Sequence, residues 1–117
     1  MSICEKNKKM KKKVSVIIPT LNRRELIKRA LDSVFSQTYP IYEIIVIDNG
    51  STDNTVPMLY ENYPSVQILR EKRLGVSFAR NTGIRSAKGD WLALLDSDDA
   101  WFEKKVERQL DSYSTMG

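Results

Sequence analysis

From Val14 onward, apolar runs alternate with apolar stripes along the chain. Residues 14–19, Val-Ser-Val-Ile-Ile-Pro, form a short β-branched run stopped by proline, which reads as a buried strand. Leu26, Ile27, Ala30, Leu31, Val34 and Phe35 then recur at helical spacing, predicting a helix that reaches about Ser36. Asn22 followed by Glu25 gives that helix a capping-type start, and Tyr39-Pro40 ends it. A second strand covers residues 44–47 and runs into Asp48-Asn49-Gly50-Ser51. Thr52 or Asp53 is placed to cap a short helix through Val56, Leu59 and Tyr60, and Pro64 breaks the chain before a third strand at 66–69. Gly75 opens another helix, with Val76, Ala79, Gly83 and Ala87 on one stripe and Gly89 as its C-terminal stop. A fourth strand, 91–95, is closed by Asp96-Ser97-Asp98-Asp99. Phe102, Val106, Leu110 and Tyr113 mark a last helix.

Strands that are apolar throughout and separated by helices predict an α/β, Rossmann-like parallel sheet of about four strands with helices on both faces. In such sheets ligands bind beyond the carboxyl ends of the strands. That rule gives the polar residues their interest. Asp48, Asn49 and Ser51 follow the second strand, Arg70, Lys72 and Arg73 the third, and the acidic cluster the fourth, so all are expected on one rim.

The composition fits this picture. The 117 residues are 41% hydrophobic and 29% charged, enough apolar material for one core and one domain. No apolar run has membrane-spanning length, and the N-terminal lysines lack the apolar segment of a secretory signal. The cytoplasm is therefore the expected compartment, the inner face of the membrane included. Cys4 is alone, which excludes an internal disulfide framework. Histidine is absent, so imidazole general-base chemistry and His metal ligation are excluded within this chain.

The net charge of +4 changes meaning once it is located. Six lysines against Glu5 give residues 1–13 a net +5, leaving 13 basic and 14 acidic residues, net −1, in 14–117. The basic character belongs to a tail. A lysine tail has the charge to touch nucleic acid or an anionic membrane surface, but charge blocks of this kind are usually solvated and unfolded, and that is the reading expected of residues 1–13. Nucleic acid is not the expected partner. An exposed sheet edge leaves association with a second copy or a partner chain open.

Three segments carry candidate chemistry. Asp96, Asp98 and Asp99 place three carboxylates within four residues, a repulsion that a hard divalent cation, Mg2+ or Mn2+, relieves; such ions commonly use one or two carboxylates plus substrate phosphates. In extended geometry Asp96 and Asp98 point the same way, so that one can hold the metal while the other reaches a sugar hydroxyl. The plainer alternative is that Asp98 or Asp99 caps the final helix. Asp48 and Asn49 offer a carboxylate and an amide at a strand end, able to read a nucleobase edge, while Gly50 permits the turn. Arg80, four residues after Val76, borders the inward stripe and needs an anionic partner, either Asp96 or Asp98 or a diphosphate.

In order and spacing, Val-Ser-Val-Ile-Ile-Pro-Thr-Leu-Asn, Ile-Ile-Val-Ile-Asp-Asn-Gly-Ser-Thr-Asp-Asn-Thr and Gly-Val-Ser-Phe-Ala-Arg-Asn-Thr-Gly-Ile, leading to Leu-Asp-Ser-Asp-Asp, resemble the family-2-type glycosyltransferases of GT-A fold over residues 14 to 110. The resemblance implies that the rim binds a nucleotide-diphosphate sugar. Pro19, Thr20, Leu21, Asp48 and Asn49 would line the base pocket and Arg80 would lie near the nucleotide. Asp96, with neighbouring Ser97, would contact the ribose or sugar side, and Asp98 would hold the metal that bridges the diphosphate. It further implies transfer, usually inverting, to a saccharide or lipid-linked acceptor. Leu21 stands where many members carry an aromatic residue, and Asn49 where many carry a second aspartate, which leaves uridine, deoxythymidine and guanosine donors open. The acceptor site and the general base that an inverting transfer needs lie, by the same resemblance, in a further segment, so 14–117 is expected to be the donor-binding half alone. The alternative is a non-catalytic nucleotide-sugar-binding module.

Two other α/β classes fail on motif: nothing after the first strand reads G-x-G-x-x-G, and no G-x-x-x-x-G-K-[ST] occurs. A phosphoacceptor signalling domain would carry its acids after the first and third strands, whereas here they follow the second and fourth.

Overall fold

Seven consecutive buried residues, Val14–Thr20, form strand β1 at the heart of the sheet. In the computed structural model, which describes residues 12–116, the elements that follow are α1 (Arg24–Phe35), β2 (Glu43–Asp48), α2 (Thr55–Asn62), β3 (Gln67–Arg70), α3 (Val76–Ser86), β4 (Trp91–Leu94) and α4 (Lys105–Met116). The four strands are parallel and ordered β3-β2-β1-β4, with Ile17 opposite both Ile45 and Leu94. The alternating strands and helices expected from the sequence are thus all present. None of the described helices is long and apolar enough to cross a membrane.

Strand alternation divides the core between two faces. Val14, Val16, Ile18 and Val46 pack with Ile27, Ala30, Leu31 and Val34 of α1, Met58 and Leu59 of α2, and Val106 and Leu110 of α4. On the opposite face Ile17, Ile45 and Ile47 meet Ala79 of α3. α3 lies close because position 83 has no side chain: a Cβ there would fall 2.6 Å from Ile17 Cγ2 and 2.7 Å from Ile47 Cδ1. This helix covers β1 and β2 but not β4. Trp91 and Ala93 face the larger core, while Leu92 and Leu94 remain 46% and 48% exposed. Cover on both faces, expected of every strand, therefore fails at this edge.

Several local expectations change because the partner is distant in sequence. Asn22 does not cap α1. Its backbone is left-handed (φ 52°), and its Oδ1 accepts from Thr52 N at 2.8 Å while its own N–H donates to Ser51 Oγ at 2.9 Å. The first turn of α1 is served instead by Asp53, whose Oδ2 accepts from Arg24 N at 3.1 Å, and whose Oδ1 accepts from Thr55 N at 3.2 Å. α3 ends before Gly89, which sits against β1 and donates to Ser15 Oγ at 2.9 Å. α4 starts at Lys105, beyond Phe102, and Gln37 Oε1 accepts from Val106 N at 3.1 Å. Neither Asp98 nor Asp99 caps that helix.

Lys12 and Lys13, assigned to the tail from sequence, are tied into the body. The Tyr39 hydroxyl donates to the Lys12 carbonyl at 2.6 Å, and the Lys13 carbonyl accepts from Asp90 N and Trp91 N at 2.7 and 3.0 Å. Residues 1–11, the rest of the expected tail, lie outside the described residues, as does the Tyr113 side chain.

Candidate functional site

The carboxyl ends of β1, β2 and β4 and the start of α3 surround a cleft of about 500 Å3. β1 contributes Pro19 and Thr20, followed by Leu21; β2 is followed by Asn49; α3 supplies Arg80; and the loop after β4 brings Asp96, Ser97 and Asp98. Eight residues singled out from sequence thus share one wall-to-wall space. Asp48 is the exception. Its side chain is buried (1% exposed), with Oδ2 accepting from Gly50 N at 3.0 Å and Ser51 N at 2.9 Å and Oδ1 from Ser51 Oγ at 2.6 Å. The carboxylate shapes the turn that Gly50 (φ 106°) makes possible and lies outside the cleft lining.

Asn49 fixes a second wall. Its Nδ2 donates to the carbonyls of Glu71 and Arg73 and its Oδ1 accepts from Gly75 N, each at 2.9 Å. These bonds hold the β3–α3 loop, whose Leu74 and Gly75 line the cleft beside Val76 and Ala79. The sequence places Arg70, Lys72 and Arg73 after the third strand on this rim, but the lining of the cleft comes from Leu74 and Gly75 instead. Glu71 completes the loop: its carboxylate accepts from Arg73 N at 2.8 Å, from Arg73 Nε and Nη2 at 3.1 Å each, and from the Thr82 hydroxyl. The Arg73 side-chain hydrogen bonds, then the Thr82 hydroxyl, bring the Glu71 pKa down to about 2. A depressed carboxyl pKa stabilises the fold fully above the unfolded value and loses that contribution as pH falls through the folded one. Wild-type acid denaturation should therefore carry a Glu71-dependent component between the unfolded carboxyl value, about pH 4.3, and about 2, which Glu71→Gln removes in a pH series of thermal melts.

The loop after β4 is not extended. Asp99 N donates to the Asp96 carbonyl at 3.0 Å, closing a turn that sends Asp96 and Asp98 to different partners. Asp96 Oδ1 is 2.9 Å from Arg80 Nη2, and Asp98 Oδ2 is 2.8 Å from Arg23 Nη1. The Arg23 hydrogen bond holds the Asp98 carboxyl below the ordinary aspartate range. Arg23 was missed in the sequence because it sits beside the expected helix cap. The only sequence signal for it was the general need of clustered carboxylates for cations. Asp99 takes Ala100 N at 2.8 Å and faces a second cavity of about 390 Å3, which shares Arg80 and Asp96 with the first and extends to Trp101 and Lys105.

Two polar atoms at the cleft have no partner: Thr20 Oγ1, on a residue 3% exposed, and Arg80 Nε. Buried polar atoms are ordinarily paired, so these two are exceptions among the described residues. Among the described residues no group of three or more Asp, Glu, Cys or His side chains could by itself hold a metal ion. The cleft does offer hard oxygen donors from two aspartates, the donor set with which Mg2+ or Mn2+ sits between protein and phosphate. The residues fit such an ion.

The comparisons with known proteins agree with this architecture. The uncharacterized glycosyltransferase YibD of Escherichia coli K12 is 43% identical over 98 residues, which are 81% of this chain and 28% of that protein. Among solved structures, S. aureus TarS 1–349 in complex with UDP superposes with a TM-score of 0.79 at 26% identity, over 88% of this chain and 32% of that 1–349 chain. The Pyrobaculum calidifontis mannosyltransferase PcManGT, in complex with GDP-Man and Mn2+, gives 0.69 at 34% identity, over 77% and 28%. The chain therefore spans under a third of the length of each of these proteins. Residues 15–116 match the family model described as glycosyl transferase family 2, and the chain belongs to that family.

Proposed function

We propose that this chain binds the nucleoside-diphosphate-sugar donor of a metal-dependent, inverting glycosyl transfer to a saccharide or lipid-linked acceptor. The observation that carries the reading is the single cleft where two aspartates, two arginines and an unpartnered Thr20 hydroxyl meet at the strand ends. The UDP of the TarS structure and the GDP-Man and Mn2+ of the mannosyltransferase structure support the ligand class.

Each residue then has a distinct task. Pro19, Thr20 and Leu21 flank the base. Asn49 has given both Nδ2 hydrogens to its own loop, so one lone pair of Oδ1 is left to accept a base N–H, which uracil, thymine and guanine all present. Arg80 supplies an N–H to the nucleotide. Asp96 and Asp98 would hold a divalent cation, with Asp96 and Ser97 also toward the ribose or sugar. Such a cation supplies positive charge against the departing diphosphate.

Calorimetric titration with UDP and GDP, with and without Mn2+, tests this reading. Saturable, metal-dependent binding of at least one nucleotide is expected. Asp98→Asn keeps the shape and removes the charge, and should weaken the metal-dependent binding by about tenfold or more, the scale of one charge-assisted contact. Unchanged affinity in that variant would sink the assignment of Asp98.

A further inference from the structure

The four charged side chains of the cleft cancel: Arg23 is paired with Asp98 and Arg80 with Asp96, at 2.8 and 2.9 Å. Each arginine holds one oxygen of its carboxylate, so a cation that takes the same carboxylate draws on the charge the arginine now uses and weakens that pair. We propose that Arg23 is a place-holding counter-ion, which occupies Asp98 when no metal is bound and turns to a phosphate oxygen of the nucleotide when a divalent cation takes that carboxylate. This rests on the donor-binding reading and adds to it a residue and an exchange of partners.

Three features point to Arg23. Its backbone is held, because Asn22 immediately before it is pinned in the left-handed region by Ser51 and Thr52. Its side chain is not enclosed: it is 42% exposed and holds Asp98 through its terminal Nη1. Its chemistry suits both partners, since a guanidinium fork matches carboxylate and phosphate alike. Arg80 shows the same incompleteness from the other wall, with Nε buried and unpartnered while Nη2 holds Asp96. A nucleoside diphosphate carries at least two negative charges and a divalent cation two positive ones. The incoming pair therefore replaces the internal ion pairs charge for charge.

The consequence is measurable without turnover. Because Arg23 competes with the cation, Arg23→Gln should bind Mn2+ alone more tightly than wild type, by about two- to fivefold, the range of a half-exposed ion pair. The same variant should bind UDP or GDP in saturating Mn2+ more weakly, by roughly tenfold, as loss of one charge-assisted hydrogen bond implies. Arg23→Lys keeps the charge and loses the fork, so its affinity for Mn2+ alone should stay near wild type while nucleotide affinity falls.

Calorimetry on the full chain, with Mn2+ alone and then with UDP and GDP in saturating Mn2+, reads all three. Mutual enhancement of metal and nucleotide in wild type is not diagnostic, since any cation bridging the diphosphate produces it; the opposite signs of the two Arg23→Gln effects are. If Arg23→Gln binds Mn2+ no more tightly, or nucleotide no more weakly, than a wild type that binds both, the exchange is overturned and the donor-binding reading stands. If wild type binds neither nucleotide, both fall together.

Discussion

Replacing Gly89 by alanine should destabilise the protein by about 3 kcal/mol, the upper part of the range for overpacking a filled site. The backbone at Gly89 is not in the left-handed region, so the difficulty is space. A Cβ would lie 2.5 Å from Ser15 Oγ, 2.6 Å from the Lys13 carbonyl oxygen and 3.0 Å from Ser15 N. Two of those three atoms are backbone, and the Lys13 carbonyl is already bonded to Asp90 N and Trp91 N at the start of the β1–β4 pairing. Relief thus requires moving β4, which leads into Asp96 and Asp98. For a chain of this length the loss corresponds to a fall in Tm of about 10–15 °C. Adding Ser15→Ala to Gly89→Ala should not restore it, because the carbonyl remains. A melt of Gly89→Ala within 2 °C or so of wild type would show that the strand gives way easily.

A comparable loss is expected from Asn49→Asp, and here it falls on the cleft wall. The amide makes three hydrogen bonds to backbone, two as donor and one as acceptor. A carboxylate keeps only the bond from Gly75 N and turns its other oxygen toward two carbonyl oxygens. Losing two bonds and leaving their acceptors opposed should destabilise the chain by about 2–4 kcal/mol. The loop carrying Leu74 and Gly75 should loosen with it, so nucleotide affinity falls alongside stability. Denaturant titration measures the first and calorimetry the second. Asn49→Ala, which removes the bonds without adding the repulsion, should lie between Asn49→Asp and wild type in stability.

The elements were legible in the sequence wherever burial is local and periodic. β1 and β2 are inner strands, so every position but Glu43, at the start of β2, is buried and the run is unmistakable. The inward stripe of α1 likewise announces itself through Ile27, Ala30, Leu31 and Val34. The rim could be anticipated from the rule that strand carboxyl ends gather the site, and of the nine residues assigned to donor and metal binding eight line one cleft, whereas Ser51, Arg70, Lys72 and Arg73, expected on the same rim, do not. What failed was partner choice. Asn22 and Glu25 have the spacing of a cap, but Thr52, thirty residues on, competes for the Asn22 side chain. Asp48 ends a strand as a ligand-binding acid would, yet the amides of Gly50 and Ser51 turn back onto it. That the Asp96–Asp99 cluster required cations was clear from its charge; that Arg23 would be one of them depended on how the β1–α1 loop is fastened to the β2–α2 loop, which no local pattern encodes.

β4 leaves one more consequence. Strand alternation and the bonds of Trp91 N to Lys13 and Leu95 N to Ile17 turn the peptide groups of Leu92 and Leu94 outward, and the same two side chains are the half-exposed ones. Among the described residues no strand pairs along that margin of β4, and a hydrogen-bonding edge fringed with leucine is a template on which another extended segment can zip. Purified at high concentration, the chain should turn cloudy through that seam before its helices melt, and Leu92→Lys should keep the solution clear.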